Sequence, residues 1–338
     1  MLIYDGIIEL LQKSGGISVY FNEIISRYQR TNNRMIFLRY SKNNSISIKK
    51  ENIQQQKIRI LERYRDLILS KNESSLFHST YYRLPKNKVP VITTVHDFTY
   101  EKYINGLPKY VHCWQKYRAI KNSDKIICIS KNTADDLLKY CPIDENKIEI
   151  IYNGVSDDYK VISPLNSYNN EVLFIGSRAK YKNFSLAVNV ISKMPDLHLT
   201  IIGGGELTTL EKSNLDSKIK GRYKWLGYVS NTELNEIYNV SYCLLYPSSY
   251  EGFGIPVIEA MRAGCPVIAL NASSIPEIAG NAAILINTLN ENNFIEALNT
   301  IDFVTERKKY IDAGLINSKR FSWNQCFHET NKVYSTLI

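Results

Sequence analysis

Short apolar runs alternate with longer amphipathic stretches along most of this chain. "LIYDGII", "RMIFLRY", "SLFHST", "VPVITTVHD", "DKIICIS" and "KIEIIYNG" are rich in Ile, Val, Phe and Tyr and read as strands. Between them lie helix-like segments. Residues 17–30, "ISVYFNEIISRYQR", put Val19, Phe21, Ile24, Ile25 and Tyr28 largely on one helical face. "SKNTADDLLKYC" opens on Ser130, a suitable N-cap. Strand–helix–strand units favour parallel pairing, because the helix carries the chain back to the starting edge of the sheet. The pattern predicts an α/β fold built on parallel, doubly wound sheet.

The stretch 153–171, "NGVSDDYKVISPLNSYNNE", is polar and reads as a connector. The alternation then restarts with "VLFIGS", "LHLTIIGGG", "KWLGYV", "YCLLYPS", "CPVIAL" and "AAILI". Helices are expected near 183–193, 206–218 and 231–239, and after Pro256. This divides the chain into domains at 1–160 and 161–320, with a terminal segment at 321–338. A length of 338 residues suffices for two such domains. The terminal segment carries Trp323, Cys326, Phe327, Val333 and Tyr334 near helical spacing, a stripe expected in a core.

No apolar run approaches the length of a membrane-spanning helix, and the start lacks a basic leader with a small-residue cleavage site. The six cysteines form no C-x-x-C pair and read as reduced and structural, which points to the cytoplasm. Net charge is +9 and is unevenly placed. Residues 1–160 hold 26 Lys+Arg against 17 Asp+Glu, whereas 161–338 hold 16 of each. A basic half suits an acidic partner such as nucleic acid, an anionic membrane or a phosphorylated substrate; a solvated, lysine-rich surface is the plainer reading.

The stretch "SYEGFGIPVIEAMRAGCP", 249–266, carries the most chemistry. Pro256 suits the first position of a helix and Gly264 its C-terminal cap, so a helix is expected over about 256–263. Glu259 would then lie in the first turn and Glu251 on the preceding loop. Gly252, Phe253, Gly254 and Ile255 would bring backbone N–H groups to a helix start, a site suited to phosphate. Two carboxylates beside an anion site repel it unless they accept hydrogen bonds from hydroxyls near the phosphates. A nucleotide sugar has hydroxyls on both sides of its diphosphate. An ordinary loop–helix junction would explain Glu259 but not Glu251, the glycines and the aromatic together.

Cations follow another strand in "FIGSRAKYKNFSL", where Arg178, Lys180 and Lys182 suit phosphate oxygens. Gly203, Gly204 and Gly205 end a strand and could admit a nucleotide to the backbone, or serve only as a turn. In the first half, "KSGGISVYF" places Gly15 and Gly16 before a helix, without a dinucleotide fingerprint. His96 and Asp97 close an apolar strand, where open α/β sheets hold ligands; a satisfied junction histidine is the alternative. No Asp-x-Asp, no P-loop and no metal-ligand histidine spacing occur, so no metal is expected, and Arg178, Lys182 and helix dipoles would serve in place of a divalent cation.

"YPSSYEGFGIPVIEAMRAGCPVIA" with "SSIPEIAGNAAIL" resembles the donor-binding domain of retaining glycosyltransferases of family 4. Glu251 and Glu259 match the family's E-x7-E pattern. The resemblance continues in "GGISVYF", "TTVHDFTYE", "ISKNTADDLL", "IYNGV", "FIGSRAKYKNF" and "FSWNQCFHETNKVY". "SRAKYKNF" and "VHDF" look most like the mannosyltransferase branch of bacterial O-antigen and capsule synthesis. The resemblance implies a GT-B fold: two Rossmann-like doubly wound domains facing a cleft, an acceptor-binding one first and a donor-binding one second. The C-terminal helix, about 323–336, would cross back to the first domain.

It also implies roles. Arg178 and Lys182 match the cationic pair on the donor diphosphate, with the arginine role shifted because Ser177 stands where the family's Gly-Arg pair has its arginine. Glu259 matches the carboxylate on the ribose, and Glu251 the one facing the donor sugar and reaction centre. Phe253, Gly254 and Ile255 match the loop on diphosphate and sugar, Gly16 the first-domain glycine loop, and His96 the histidine near the anomeric carbon. Tyr228 and Val229 fall near the base. The implied activity is retaining hexose transfer from a nucleotide sugar, with a GDP-sugar favoured over a UDP-sugar. The implied acceptor is an undecaprenyl-diphosphate-linked saccharide at the anionic inner membrane, met by the basic first domain. Nucleic acid is not an expected partner. The rivals are a UDP-sugar-dependent transferase, a glycoside hydrolase using both glutamates, a nucleotide-sugar epimerase and a non-catalytic subunit of an assembly complex.

Overall fold

The computed structural model describes residues 1–12, 15–31, 33–40, 46–69, 75–165 and 167–337. It divides into two compact units, Met1–Gly154 with Ser322–Ile338, and Val155–Phe321. The change of unit at Gly154 falls inside the polar stretch read as a connector.

The first unit holds a seven-stranded sheet in the order β3-β2-β1-β4-β5-β6-β7. The strands are β1 (Leu2–Tyr4), β2 (Met35–Arg39), β3 (Ile53–Gln55), β4 (Leu76–Ser79), β5 (Val91–Val95), β6 (Lys125–Cys128) and β7 (Ile148–Ile150). Every pairing is parallel. Leu2 stands opposite Met35 on one side and Leu76 on the other. The period of two then sorts the core. Leu2, Tyr4, Met35, Phe37 and Leu76 face one layer, and Ile3, Leu38, Phe77 and Val91 face the other. Both faces are buried, so the strands read as continuous apolar runs.

The helix Gly16–Tyr28 buries Ser18, Tyr20, Phe21, Ile24, Ile25 and Tyr28. The expected apolar position Val19 is 44% exposed instead, and Tyr20 takes the inward place. The reason is that the helix has two neighbours. It packs on the sheet and also along the terminal helix Trp323–Ser335, which turns the buried stripe. That terminal helix is capped by Ser322, whose Oγ accepts from the Gln325 N–H. It buries Trp323, Cys326, Thr330, Val333 and Tyr334. Its entry is tight: a Cβ on Gly154 would lie 2.1 Å from the Trp323 nitrogen.

The terminal helix is also tied in by hydrogen bonds. The Tyr334 hydroxyl lies 2.7 Å from the Tyr4 hydroxyl and 2.7 Å from His78 Nδ1. His78 Nε2 is 2.9 Å from Thr94 Oγ1, which is 3.3 Å from the Tyr20 hydroxyl. Burial pushes the His78 pKa down to about 3, so the imidazole is neutral and both accepts and donates in this chain.

The second unit repeats the plan with six strands in the order β10-β9-β8-β11-β12-β13. They are β8 (Glu171–Ile175), β9 (His198–Ile202), β10 (Tyr223–Gly227), β11 (Cys243–Tyr246), β12 (Val267–Leu270) and β13 (Ile284–Ile286). All pair in parallel. Helices Phe184–Ser192, Thr209–Ile219 and Asn231–Val240 lie close to the expected ranges. Glu291–Asp302 and Val304–Asn317 are additional helices. The chain leaves β8 for β9 and β10 on one side and then β11, β12 and β13 on the other. The direction of winding therefore reverses between β8 and β11, which is where open sheets of this kind bind ligands.

No helix among the described residues is long and apolar enough to cross a membrane. All six cysteines are buried and free. Tyr334→Phe removes one hydroxyl and leaves the Tyr4 hydroxyl and His78 Nδ1 without that partner. It should lower stability by about 1–3 kcal/mol in urea unfolding, with the fold retained. A loss below about 0.5 kcal/mol would show that the network contributes nothing to holding the terminal helix.

Candidate active site

Four strands of the second unit end in the residues that the sequence singles out. β8 leads to Gly176, Arg178 and Lys182, β9 to Gly203–Gly205, β10 to Tyr228 and Val229, and β11 to Glu251–Ile255. These strands are consecutive in the sheet, so their carboxyl ends form one edge.

Lys182 and Glu251 meet across the reversal point. Their Nζ and Oε1 atoms are in ion-pair contact, with side chains 13% and 12% exposed. Lys182 comes from a 3₁₀ turn, Lys180–Lys182, after β8; Glu251 comes from the loop after β11. The lysine also lies over the Tyr246 and Tyr181 rings. Burial, with the Glu251 carboxylate beside it, holds the Tyr246 phenol well above its ordinary pKa, so it stays a donor.

The loop bearing Glu251 is held from behind by two serines. The Glu251 N–H donates to Ser273 Oγ at 2.8 Å. Ser274 Oγ donates to the Glu251 and Phe253 carbonyls at 3.0 and 2.9 Å. Ser273 has φ +52°, a left-handed conformation uncommon for serine. Asn183, also left-handed at +55°, donates from Nδ2 to the Pro247 carbonyl and Ser249 Oγ, both at 2.8 Å. It thereby ties the lysine turn to the glutamate loop. Sequence reading gave these residues no role. The doubled serine before Pro276 and the asparagine at the start of the Phe184 helix were the available signals.

The helix after the loop runs Ile255–Arg262. It starts one residue before the expected 256, with Gly254 at φ +98° as its N-cap. Glu259 therefore belongs to the second turn, not the first. The correction follows from Gly254: its left-handed backbone lets the helix begin at Ile255 with Pro256 in second place, where proline also fits. Phe253 is buried edge-on to Phe321, with ring centres 5.6 Å apart. A Cβ on Gly254 would lie 2.6 Å from Ile275 Cδ1.

Glu259 lies beneath Tyr238, whose hydroxyl donates to Oε2 at 3.3 Å, and beside Tyr159. The side chain keeps partial solvent contact, but protein crowds its carboxyl group. That burial pushes the pKa up to about 7, against the two tyrosine hydrogen bonds, which pull it down.

Arg178 is held inside the unit. Its Nε donates to Glu211 Oε1 at 2.8 Å, its Nη1 to the Gly203 carbonyl at 3.1 Å, and its Nη2 to the Gly205 and Glu206 carbonyls at 3.2 and 2.7 Å. Gly204 packs so closely that an added Cβ would lie 2.6 Å from Arg178 Nη1. The arginine thus shapes the glycine loop. Tyr228 stands 80% exposed and Val229 half-buried at the end of β10.

Two candidates belong to the first unit. Gly16 opens its helix, and a Cβ there would meet nothing within 4 Å. Lys13 and Ser14 of the same loop lie outside the described residues. His96 follows β5, 7% exposed, with Tyr20 edge-on at 5.1 Å. Among the described residues its Nε2 has no hydrogen-bond partner. Burial lowers its pKa to about 4, so it is neutral near pH 7.

Both halves of the chain match known families. Residues 155–310 match the family model "Glycosyl transferases group 1", and residues 15–159 match "Glycosyltransferase Family 4". The chain belongs to the family 4 glycosyltransferases. It is 26% identical over 289 residues to O-antigen chain mannosyltransferase B of Escherichia coli, covering 78% of this chain and 74% of that one. It is 27% identical to O-antigen chain mannosyltransferase RfbU of Salmonella typhimurium, covering 70% and 67%. Its fold matches Anabaena HepE, solved with UDP-glucose, at a TM-score of 0.75 and 16% identity over 99% of both chains. The transferase has the GT-B fold expected from its motifs, with two parallel Rossmann-like sheets.

The pKa of Glu259 sets a test. A carboxyl raised from 4.5 to about 7 binds its proton more tightly in the folded than in the unfolded state. Its contribution to stability is present in full below about pH 4.5 and is lost as pH rises through about 7. Glu259→Gln should flatten this part of the stability–pH curve in urea unfolding. An unchanged slope would show that the carboxyl titrates normally.

Proposed function

We propose that this enzyme is a retaining hexosyltransferase that moves mannose or a related hexose from a GDP-sugar to a saccharide acceptor. The acceptor in this reading is undecaprenyl-diphosphate-linked, and the product belongs to a bacterial O-antigen or capsule. The Lys182–Glu251 pair at the reversal point of the second sheet carries the reading. A lysine and a carboxylate closing on each other there are the groups that a diphosphate sugar would separate. Lys182 would take the diphosphate oxygens, and Glu251 would accept from a sugar hydroxyl. The start of the Ile255 helix would add N–H groups and its dipole to the leaving charge.

The remaining residues follow this division. Glu259, whose carboxyl is crowded but not sealed, would accept from the ribose hydroxyls. Gly204 and Tyr228, with Val229, would flank the base. Phe253, Gly254 and Ile255 would lie along the diphosphate and sugar. Arg178 would act through the glycine loop that it braces. His96, neutral and with Nε2 unpartnered, would face the donor sugar, and Gly16 would admit the diphosphate to the first helix.

The acceptor hydroxyl would attack the face from which the nucleotide diphosphate departs, and the leaving phosphate oxygen would take its proton. No protein nucleophile is needed. Because the chain lacks Asp-x-Asp, we assign the leaving charge to Lys182 and the helix start rather than to a metal. The basic first domain would work at the cytoplasmic face of the inner membrane, peripherally attached through its excess charge.

The names of the relatives as mannosyltransferases support mannose as the sugar moved, while HepE, solved with UDP-glucose, supports a UDP-sugar as the second reading. A thermal-shift panel of GDP-, UDP- and dTDP-sugars should give its largest rise with a GDP-sugar, because a ligand that binds only the folded state raises stability by mass action. A larger rise with a UDP-sugar would move the assignment to that donor class. With the donor so identified, Lys182→Ala should reduce transfer about 100-fold or more, as expected for a main stabiliser of developing charge. Glu251→Gln should abolish transfer while the protein remains folded. Near-normal turnover in either variant would remove that residue from the reaction centre. Donor binding with no turnover in the unaltered protein would favour a non-catalytic role.

A further inference from the structure

The helix Leu107–Lys121 of the first unit turns Trp114 outward, 57% exposed, and Lys116 inward, fully buried. A lysine ordinarily keeps its ammonium group in water, so a buried one has work that water would prevent. Its Nζ has three partners. It lies 2.6 Å from the Glu101 carboxylate, donates to the Asp97 carbonyl at 3.0 Å and stands 3.8 Å from the centre of the Phe98 ring. Glu101 belongs to the short helix Thr99–Tyr103. Tyr117 and Cys113, from the same helix as the lysine, hydrogen-bond its carboxyl group. The two charges therefore balance each other inside the protein. With side chains 0% and 2% exposed, they lie beyond the reach of a ligand.

These contacts converge on one loop. Asp97 and Phe98 directly follow His96, which itself follows β5. The Thr99 N–H donates to Asp97 Oδ1 at 2.9 Å and closes the turn, while Tyr82 hydrogen-bonds the His96 backbone. The His96 ring packs edge-on against Tyr20 and Phe21, with ring centres 5.1 and 6.1 Å apart. Lys116 adds the donor for the Asp97 carbonyl. A carbonyl turned into the protein without a donor costs free energy, so without Lys116 this peptide gains by rotating toward water and taking His96 with it. Stability alone does not account for the lysine. A buried ion pair is commonly matched or bettered by apolar residues of similar size. An apolar residue at 116 could not donate to Asp97.

We propose that Lys116 is a positioning residue for sugar transfer: with Glu101 as its counter-ion, it fixes the Asp97 peptide and through it the direction of His96. The inference rests on the reading that sets His96 at the donor sugar. Lys116 touches no substrate in this role and adds no net charge to the site. Its effect belongs to the reaction step and not to donor binding, because the donor residues of the second unit are independent of it.

Lys116→Met alone strands the Glu101 carboxylate and should lower the urea midpoint whatever the lysine does for catalysis. The test is therefore Lys116→Met combined with Glu101→Gln, which removes both charges together and keeps an acceptor for Tyr117. This paired variant should unfold at a urea midpoint close to that of the unaltered protein. Its kcat should fall about tenfold or more, since a small misplacement of a reacting group costs that much, while the KM for the donor and the donor thermal shift stay unchanged. His96→Asn should also lower kcat. Adding the paired change to His96→Asn should then cost little more, because both act on one group. Normal kcat in the paired variant, beside a loss in His96→Asn, would overturn the inference and leave the reading of His96 intact. An equal further loss on adding the paired change to His96→Asn would overturn it too, since Lys116 would not be acting through His96. Normal kcat in His96→Asn would remove that histidine from the reaction centre and the inference with it, while the donor shift still reports on the transferase reading.

Discussion

Parallel pairing of β8 with β9 on one side and β11 on the other is the constraint on which the second unit's site depends. Parallel strands all end at the same edge. At the point where the winding reverses, the two loops leaving that edge diverge and leave room between them. Lys182 leaves one of these strands and Glu251 the other, and their ion pair spans the gap. Asn183 bonds from the first loop to the second, and Ser273 and Ser274, which follow β12, brace the second from behind. The pair is therefore placed by three strands and not by either loop alone.

The same edge sorts the other polar groups by their surroundings. Glu251 faces a lysine, whereas Glu259 faces two tyrosines in crowded protein. Two carboxylates eight positions apart thus have different partners, one a cation and the other neutral donors. Arg178 shows the opposite outcome. A residue chosen as a ligand cation is bonded to three carbonyls and a carboxylate, because a strand end rich in glycine exposes carbonyls that a guanidinium satisfies well. The first unit uses its polar groups structurally as well. Tyr4, Tyr334, His78, Thr94 and Tyr20 link the terminal helix to strands far away in sequence.

Much of this was legible in the sequence. Periodicity of two and of 3.6 marked the strands and most helices, because burial on a regular element repeats at the period of that element. The E-x7-E stretch, the basic loop after β8 and the glycines after β9 were all found, because strand ends are short and their residues stand out against apolar runs. Val19 was misplaced, since one helical face was assumed where packing partners lie on two sides. The start of the Ile255 helix was missed by one residue, since proline is acceptable at either of the first two positions and only the backbone at Gly254 decides between them.

The sequence by itself determined the two parallel α/β units, the order of their elements and the residue types at each strand end. These follow from local periodicity and from turn chemistry, which act over a few residues. Tertiary structure alone decided that Lys182 closes on Glu251, that Arg178 turns inward to the glycine loop, and that Ser273, Ser274 and Asn183 hold the loops. It also decided that the Leu107 helix turns its tryptophan outward and its lysine inward. Those outcomes depend on which distant groups compete for each hydrogen bond and charge, and only the packed sheet brings the competitors together.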